Sequence, residues 1–170
     1  MKKVLVILLW LCCTTSVYAQ KNQCDCETFL STQFPWQVHV YSSADKAVEL
    51  YTVGNNAIEE DFVHFTLIAQ KGRMLQVAPY SIHKWYDTGW IDNNNISVYG
   101  TNYYEPLNIY KKADTASPVV LVVPAHFEPE YHVTGCKGKW LQVEFLYEEE
   151  TIKGWLSPDD QCGSAYTNCN

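Results

Sequence analysis

Cys136 follows His132 by four residues and His126 by ten. A thiol with imidazoles nearby is the raw material of a cysteine nucleophile, in which the ring takes the proton and leaves a thiolate. The surroundings speak against that chemistry. An internal repeat aligns Cys136 with Gln70 and His132 with Thr66, in a turn just before Lys-Gly. Hairpin tips hold nucleophiles loosely, and no third group is spaced to orient a base, so no catalytic residue is assigned. Metal chemistry finds no better support. The five histidines (His39, His64, His83, His126, His132) show no paired ligand spacing on one element. Glu148-Glu149-Glu150 reads as a solvated turn, because calcium needs more oxygen ligands at fixed spacing. There is no Gly-rich phosphate cradle and no Gly-x-Ser-x-Gly turn. Neither a metal nor a cofactor is expected.

What remains is aromatic and sulfur chemistry. Tyr80, Trp85 and Tyr86 share one predicted turn with His83 and Lys84. Three aromatics in a loop are costly to expose, so they either cap an apolar edge or meet a partner. Tyr41 and Tyr110 occupy matched positions beside a polar turn and complete the set of candidate ligand-binding residues. Trp90 and Trp155, each after a Gly at a strand start, read more simply as core with the indole N–H satisfied. Tyr103 and Tyr104 are expected to pack between the two halves of the repeat.

Seven cysteines are present, two of them, Cys12 and Cys13, in the first nineteen residues. That stretch has Lys2-Lys3, an apolar run from Val4 to Leu11, and small residues ending Val17-Tyr18-Ala19. A short positive start, an apolar run too short to span a bilayer and small residues at −3 and −1 make a secretory signal peptide over 1–19. Cleavage after Ala19 is expected. Leu11-Cys12-Cys13 lacks the small residue that would precede a lipidated cysteine, so a lipoprotein is the weaker reading. Export places the chain in the periplasm or outside the cell. There Cys24, Cys26, Cys162 and Cys169 are the disulfide candidates, with an odd cysteine left over. A bridge between Cys162 and Cys169 would pin the C-terminus; alternatively Cys24 or Cys26 ties the N-terminal segment to that tail.

The 170 residues carry 12 Lys+Arg against 19 Asp+Glu, a balance of −7, and removal of the two leader lysines would take it to −9. An acidic chain without basic clusters is a poor partner for nucleic acid or an anionic membrane surface. No later stretch is long and apolar enough for a helical membrane span.

These residues are positioned by a sequence that repeats itself. Val38-His39-Val40-Tyr41 matches Leu107-Asn108-Ile109-Tyr110, 69 residues on. Lys71-Gly72-Arg73-Met74-Leu75-Gln76-Val77 matches Lys137-Gly138-Lys139-Trp140-Leu141-Gln142-Val143 at an offset of 66, and Gly89-Trp90-Ile91 matches Gly154-Trp155-Leu156 at 65. Three matches in one order with a nearly constant offset indicate a tandem duplication, with copies at 36–99 and 105–165. A Cys-containing segment, 20–35, precedes them and a tail, 166–170, follows. Each copy reads as short strands and turns. Leu141, Val143 and Phe145 alternate with Gln142, Glu144 and Leu146, near the period of two that a half-buried strand shows. No convincing helical period is present. Five short strands in about 60 residues bury little as an open sheet, so closure into a small barrel is expected. Part of the stretch from Asn93 to Pro106 is expected to complete the first barrel.

The second copy, with Gly138-Lys139-Trp140-Leu141-Gln142-Val143 and then Gly154-Trp155-Leu156, resembles the bacterial SH3-like (SH3b) domain family. The first copy departs from that pattern at Met74, where the second has Trp140. The resemblance covers most of the chain after the leader and implies an all-β protein of two tandem five-stranded SH3-like barrels. It also implies an exported bacterial protein without catalytic activity of its own, binding cell-wall peptide or glycan, or a protein segment. In such barrels the region of Tyr41 and Tyr110 borders the ligand groove. A second reading is a protein-interaction factor (inhibitor, immunity factor or accessory subunit) for an extracytoplasmic enzyme. A cysteine-dependent wall peptidase ranks last.

Overall fold

The computed structural model describes residues 23–33, 37–167 and 169. The signal peptide expected over 1–19 lies outside them. The described residues are all-β apart from one 3₁₀ turn at Pro158–Asp160. Thirteen strands occur among the described residues: β1 Gln23–Leu30, β2 Gln37–Tyr41, β3 Glu49–Gly54, β4 His64–Lys71, β5 Met74–Tyr80, β6 Gly89–Asp92, β7 Ile96–Gly100, β8 Leu107–Tyr110, β9 Val119–Val123, β10 Tyr131–Lys137, β11 Trp140–Tyr147, β12 Glu150–Leu156 and β13 Gln161–Cys162. They form one antiparallel path in the order β3-β2-β6-β5-β4-β1-β7-β10-β11-β12-β8-β9, with β13 on β7. No helix among the described residues is long and apolar enough to cross a membrane.

The pairings of the first half recur in the second. β2 pairs β3 and β6, and β5 pairs β4 and β6. Likewise β8 pairs β9 and β12, and β11 pairs β10 and β12. Even the irregularities match. A bulge falls between Leu67 and Ala69 and between Val133 and Gly135, and another between Val40 and Tyr41 and between Ile109 and Tyr110. The Gly of each Gly-Trp pair sits where the chain runs against its neighbour. A Cβ on Gly89 would lie 2.3 Å from Val40 Cγ1, and one on Gly154 would lie 2.3 Å from Ile109 Cγ2. Gly72 and Gly138 turn the matched β4–β5 and β10–β11 hairpins at φ +61 and +58, a region that glycine enters without a side-chain clash.

The two halves are joined in one sheet path through β1 and β7. β1, in the segment expected only to carry cysteines, pairs β4 on one side and β7 on the other. β7 lies in the stretch expected to complete the first barrel, and besides β1 it pairs β10. Strands that are apolar on both faces can be covered from both sides, and β7 is buried at Ile96, Ser97 and Val98. This central seam makes one hydrogen-bonded sheet path and one apolar core, from Leu30 and Phe65 through Ile96 to Leu141 and Leu156. The start of β1 is clamped to the second half. Cys24 is bridged to Cys136, Asp25 N–H donates to the Gly138 carbonyl at 2.9 Å, and Gly138 N–H donates to that of Gln23 at 2.8 Å. Gln70 adds a crosslink, accepting from Cys136 N–H at 2.9 Å. A second bridge joins Cys162 to Cys169. Cys26, a bridge candidate from sequence, is instead a free buried thiol, and Cys136 is the residue that pairs. A parallel bridge between Cys24 and Gly138 sets Cys136 beside Cys24, a proximity that linear spacing does not reveal.

Candidate functional site

The turn after β5 doubles back on itself. Ser81 N–H donates to the Lys84 carbonyl at 2.8 Å, and Tyr80 makes an antiparallel bridge with Trp85. That fold-back lays the Trp85 indole on the Tyr80 ring, with centroids 4.8 Å apart and planes within 18°. Tyr80 in turn stacks on His64 from the start of β4 at 5.3 Å, and His64 on Tyr166 from the C-terminal segment, also at 5.3 Å. Four rings from three parts of the chain thus form a ladder. It borders an open cleft of about 560 Å³ that also has Glu27 of β1 and Ser164 in its wall. Trp85 ends the ladder with 76% of its surface exposed.

Hydrogen bonds fix the polar groups. The Phe62 carbonyl lies 3.1 Å from His64 Nδ1 and can only accept, so that nitrogen carries the proton. Nε2 then accepts from Ala165 N–H at 3.1 Å. Both nitrogens are therefore committed in the neutral ring. Burial lowers the His64 pKa below the ordinary histidine value, against smaller opposing contributions from the Phe62 carbonyl and from Glu27 and Asp61. Tyr166 OH receives Phe62 N–H at 3.0 Å, which ties the C-terminal segment down a second time. Glu27 accepts from Tyr80 OH at 2.9 Å and from Thr66 Oγ1 at 2.8 Å. Burial and the Glu27 carboxylate together push the Tyr80 phenol well above its usual range, so it remains a donor. Behind the turn, Ser81 Oγ donates to Asp61 Oδ2 at 3.1 Å, while Asp61 Oδ1 is buried without a hydrogen-bond partner.

Of the aromatic candidates, Tyr80 and Trp85 share this cleft. Tyr86 turns inward instead, stacking on Tyr51 at 5.7 Å beneath the Lys84 ammonium, 4.4 Å from its ring centre. Tyr41 lines a separate shallow groove with His39, Lys46 and Asp92. Tyr110 packs edge-on against Trp140 at 5.5 Å. The tyrosines expected between the halves are not covered there: Tyr104 is exposed, and Tyr103 packs against it and His126. Glu27, His64 and Tyr166 were not singled out as ligand-binding residues from sequence. In β1 burial alternates, and Glu27 lies on the exposed side.

The thiol–imidazole pair has no free thiol. Cys136 is bridged, and His132 Nδ1 lies 3.2 Å from the Ile96 carbonyl. Burial pushes the Cys26 thiol up to about 12, away from the thiolate. Among the described residues no group of three or more His, Cys, Asp or Glu is placed to hold a metal ion.

No protein-family model matches this chain, and no curated protein matches it. Two solved structures are similar at low level. One is NlpC1 from Trichomonas vaginalis, at 16% identity and a TM-score of 0.35, covering 86% of this chain and 47% of that one. The other is NlpC2 from the same organism, at 15% identity and a TM-score of 0.35, covering 84% of this chain and 49% of that one. The chain spans about half the length of each.

Proposed function

We propose that this chain is a non-catalytic, exported binding module built of two tandem SH3-like barrels behind a cleaved leader. It captures a cell-wall peptide or glycan, or a protein segment, in the Tyr80–Trp85 cleft. The observation that carries the reading is Trp85. An indole of this size left mostly bare, on a stack of rings that fixes its orientation, is an apolar platform awaiting a ligand. The repeated pairings, bulges and Gly-Trp crossings support a duplicated barrel unit as scaffold. The bridged Cys136 and buried Cys26 support reading it as a binder rather than a thiol enzyme.

Sedimentation with purified peptidoglycan tests this. Wild type should co-sediment, and Trp85→Ala should retain less than roughly a fifth of that binding, the loss expected when a stacking platform is removed. Equal retention by Trp85→Ala would exclude the cleft. A second reading, a protein-interaction factor, is favoured by β9, a terminal strand whose Val119, Val120 and Val122 are exposed. For that reading, Val120→Lys would abolish partner capture while Trp85→Ala leaves it intact.

A further inference from the structure

We infer that the Tyr80–Trp85 cleft takes an organic cation, an ammonium group on a short aliphatic stem, seated between the Glu27 carboxylate and the indole. The inference rests on the cleft being the binding site and names what enters it.

Charge decides the class of ligand. Glu27 is the charged side chain in the wall, and neither lysine nor arginine lines the cleft. Its carboxylate is oriented without being neutralised. Thr66 Oγ1 and Tyr80 OH, both uncharged donors, occupy one lone pair on each oxygen, leaving one on each for a ligand donor. Lys84, the nearest cation in the turn, rests over Tyr86 instead. His64 does not supply positive charge, because Nε2 is an acceptor for Ala165 N–H. A second carboxylate backs the same turn. Asp61 Oδ1 is buried with no donor on it, so its negative field is not cancelled locally.

Geometry supplies the other half. Aromatic faces are electron-rich and attract cations within about 6 Å of the ring centre; both faces of Tyr80 are taken, by Trp85 and His64, so the open face at the cleft is the outer face of Trp85. An ammonium group on Glu27 gains a charge-assisted hydrogen bond, while the ligand's apolar stem packs on the exposed indole lining the same cleft. A phosphate or carboxylate ligand would meet uncompensated negative charge. A neutral sugar could stack on the indole, but would place only weak donors on Glu27.

The test titrates the purified chain calorimetrically with three probes: Nα-acetyl-lysine methylamide, its Nε-acetylated neutral counterpart, and N,N′-diacetylchitobiose. The charged probe should bind, Nε-acetylation should weaken it by about tenfold or more, and Glu27→Gln should remove most of that difference, as expected for a charge-assisted contact. Trp85→Ala, at an exposed position, controls for folding and should weaken the charged probe as well. Equal binding of the charged and acetylated probes overturns the inference, as does no binding of the charged probe at about 10 mM, well above the mM range of a weak specific site. If chitobiose or wall material binds in a Trp85-dependent way while the lysine probe does not, the cation falls and the cleft stands. If neither the lysine probe, chitobiose nor wall material binds, the cation and the wall-ligand reading fall together.

Discussion

His64 accepts from Ala165 N–H at Nε2, a bond that only its neutral form can make, and burial acts in the same direction, which fixes the sign of its pH dependence. Its folded pKa lies below the unfolded value of 6.5. Between those two values the unfolded chain binds the extra proton, so stability is complete above the unfolded pKa and declines as pH falls through the window below it. The groups facing the ring are Glu27 and Asp61, whose charges limit the lowering, and the phenols of Tyr80 and Tyr166. An NMR titration of the His64 ring should give a midpoint below 6.5. His64→Phe should flatten the fall of Tm across the acid side of that window. A midpoint above the ordinary histidine value would mean that the carboxylates, rather than burial, dominate the site.

The strands make predictions of their own at their closest approaches and their edges. A methyl on Gly154 would lie 2.3 Å from Ile109 Cγ2 and 2.9 Å from the Tyr110 carbonyl oxygen. Because backbone must shift, Gly154→Ala should cost about 1–3 kcal/mol or more in a denaturant melt. Gly72→Ala meets open space and pays only for φ +61, about 1–2 kcal/mol. The larger loss should fall at Gly154. At the edges, the pairings align β3 with β9, so that Glu49 and Thr52 of one stand where the other has Val119 and Val122. Terminal strands with apolar side chains and open backbone groups are templates for aggregation, and charge blunts them. Val120→Lys should therefore reduce light scattering on heating, with a stability change within about 0.5 kcal/mol, the usual range for surface substitutions. Unchanged scattering would place the aggregation-prone surface elsewhere.

At the scale of the molecule, two bridges do different work. Cys24–Cys136 closes a separation of 112 residues and joins β1 to the second half. By loop-closure entropy its loss should cost about 4–5 kcal/mol. Cys162–Cys169 spans 7 residues, for which the same relation gives about 2 kcal/mol. It closes the loop that supplies Ala165 and Tyr166 to the His64 stack. Replacing Cys24 and Cys136 with Ser should thus lower Tm strongly, while the same change at Cys162 and Cys169 should lower it less but loosen the cleft, read as faster amide exchange at Ala165. The reverse ranking would mean that the seam holds without its crosslink.

Residue order alone determined the all-β character and displayed the repeated motifs, because alternation and turn chemistry are local and like motifs at a near-constant offset are visible in linear order. It also put Tyr80 and Trp85 in one turn, since contacts across six residues are written in sequence. Only the tertiary structure decided the rest. The seam of β1 against β7, the bridge from Cys24 to Cys136 and the meeting of Glu27, His64 and Tyr166 at one cleft all join parts of the chain far apart in number. Such contacts depend on which strand edges find each other during collapse, and a strand's apolar pattern says which face it buries but not which neighbour it takes.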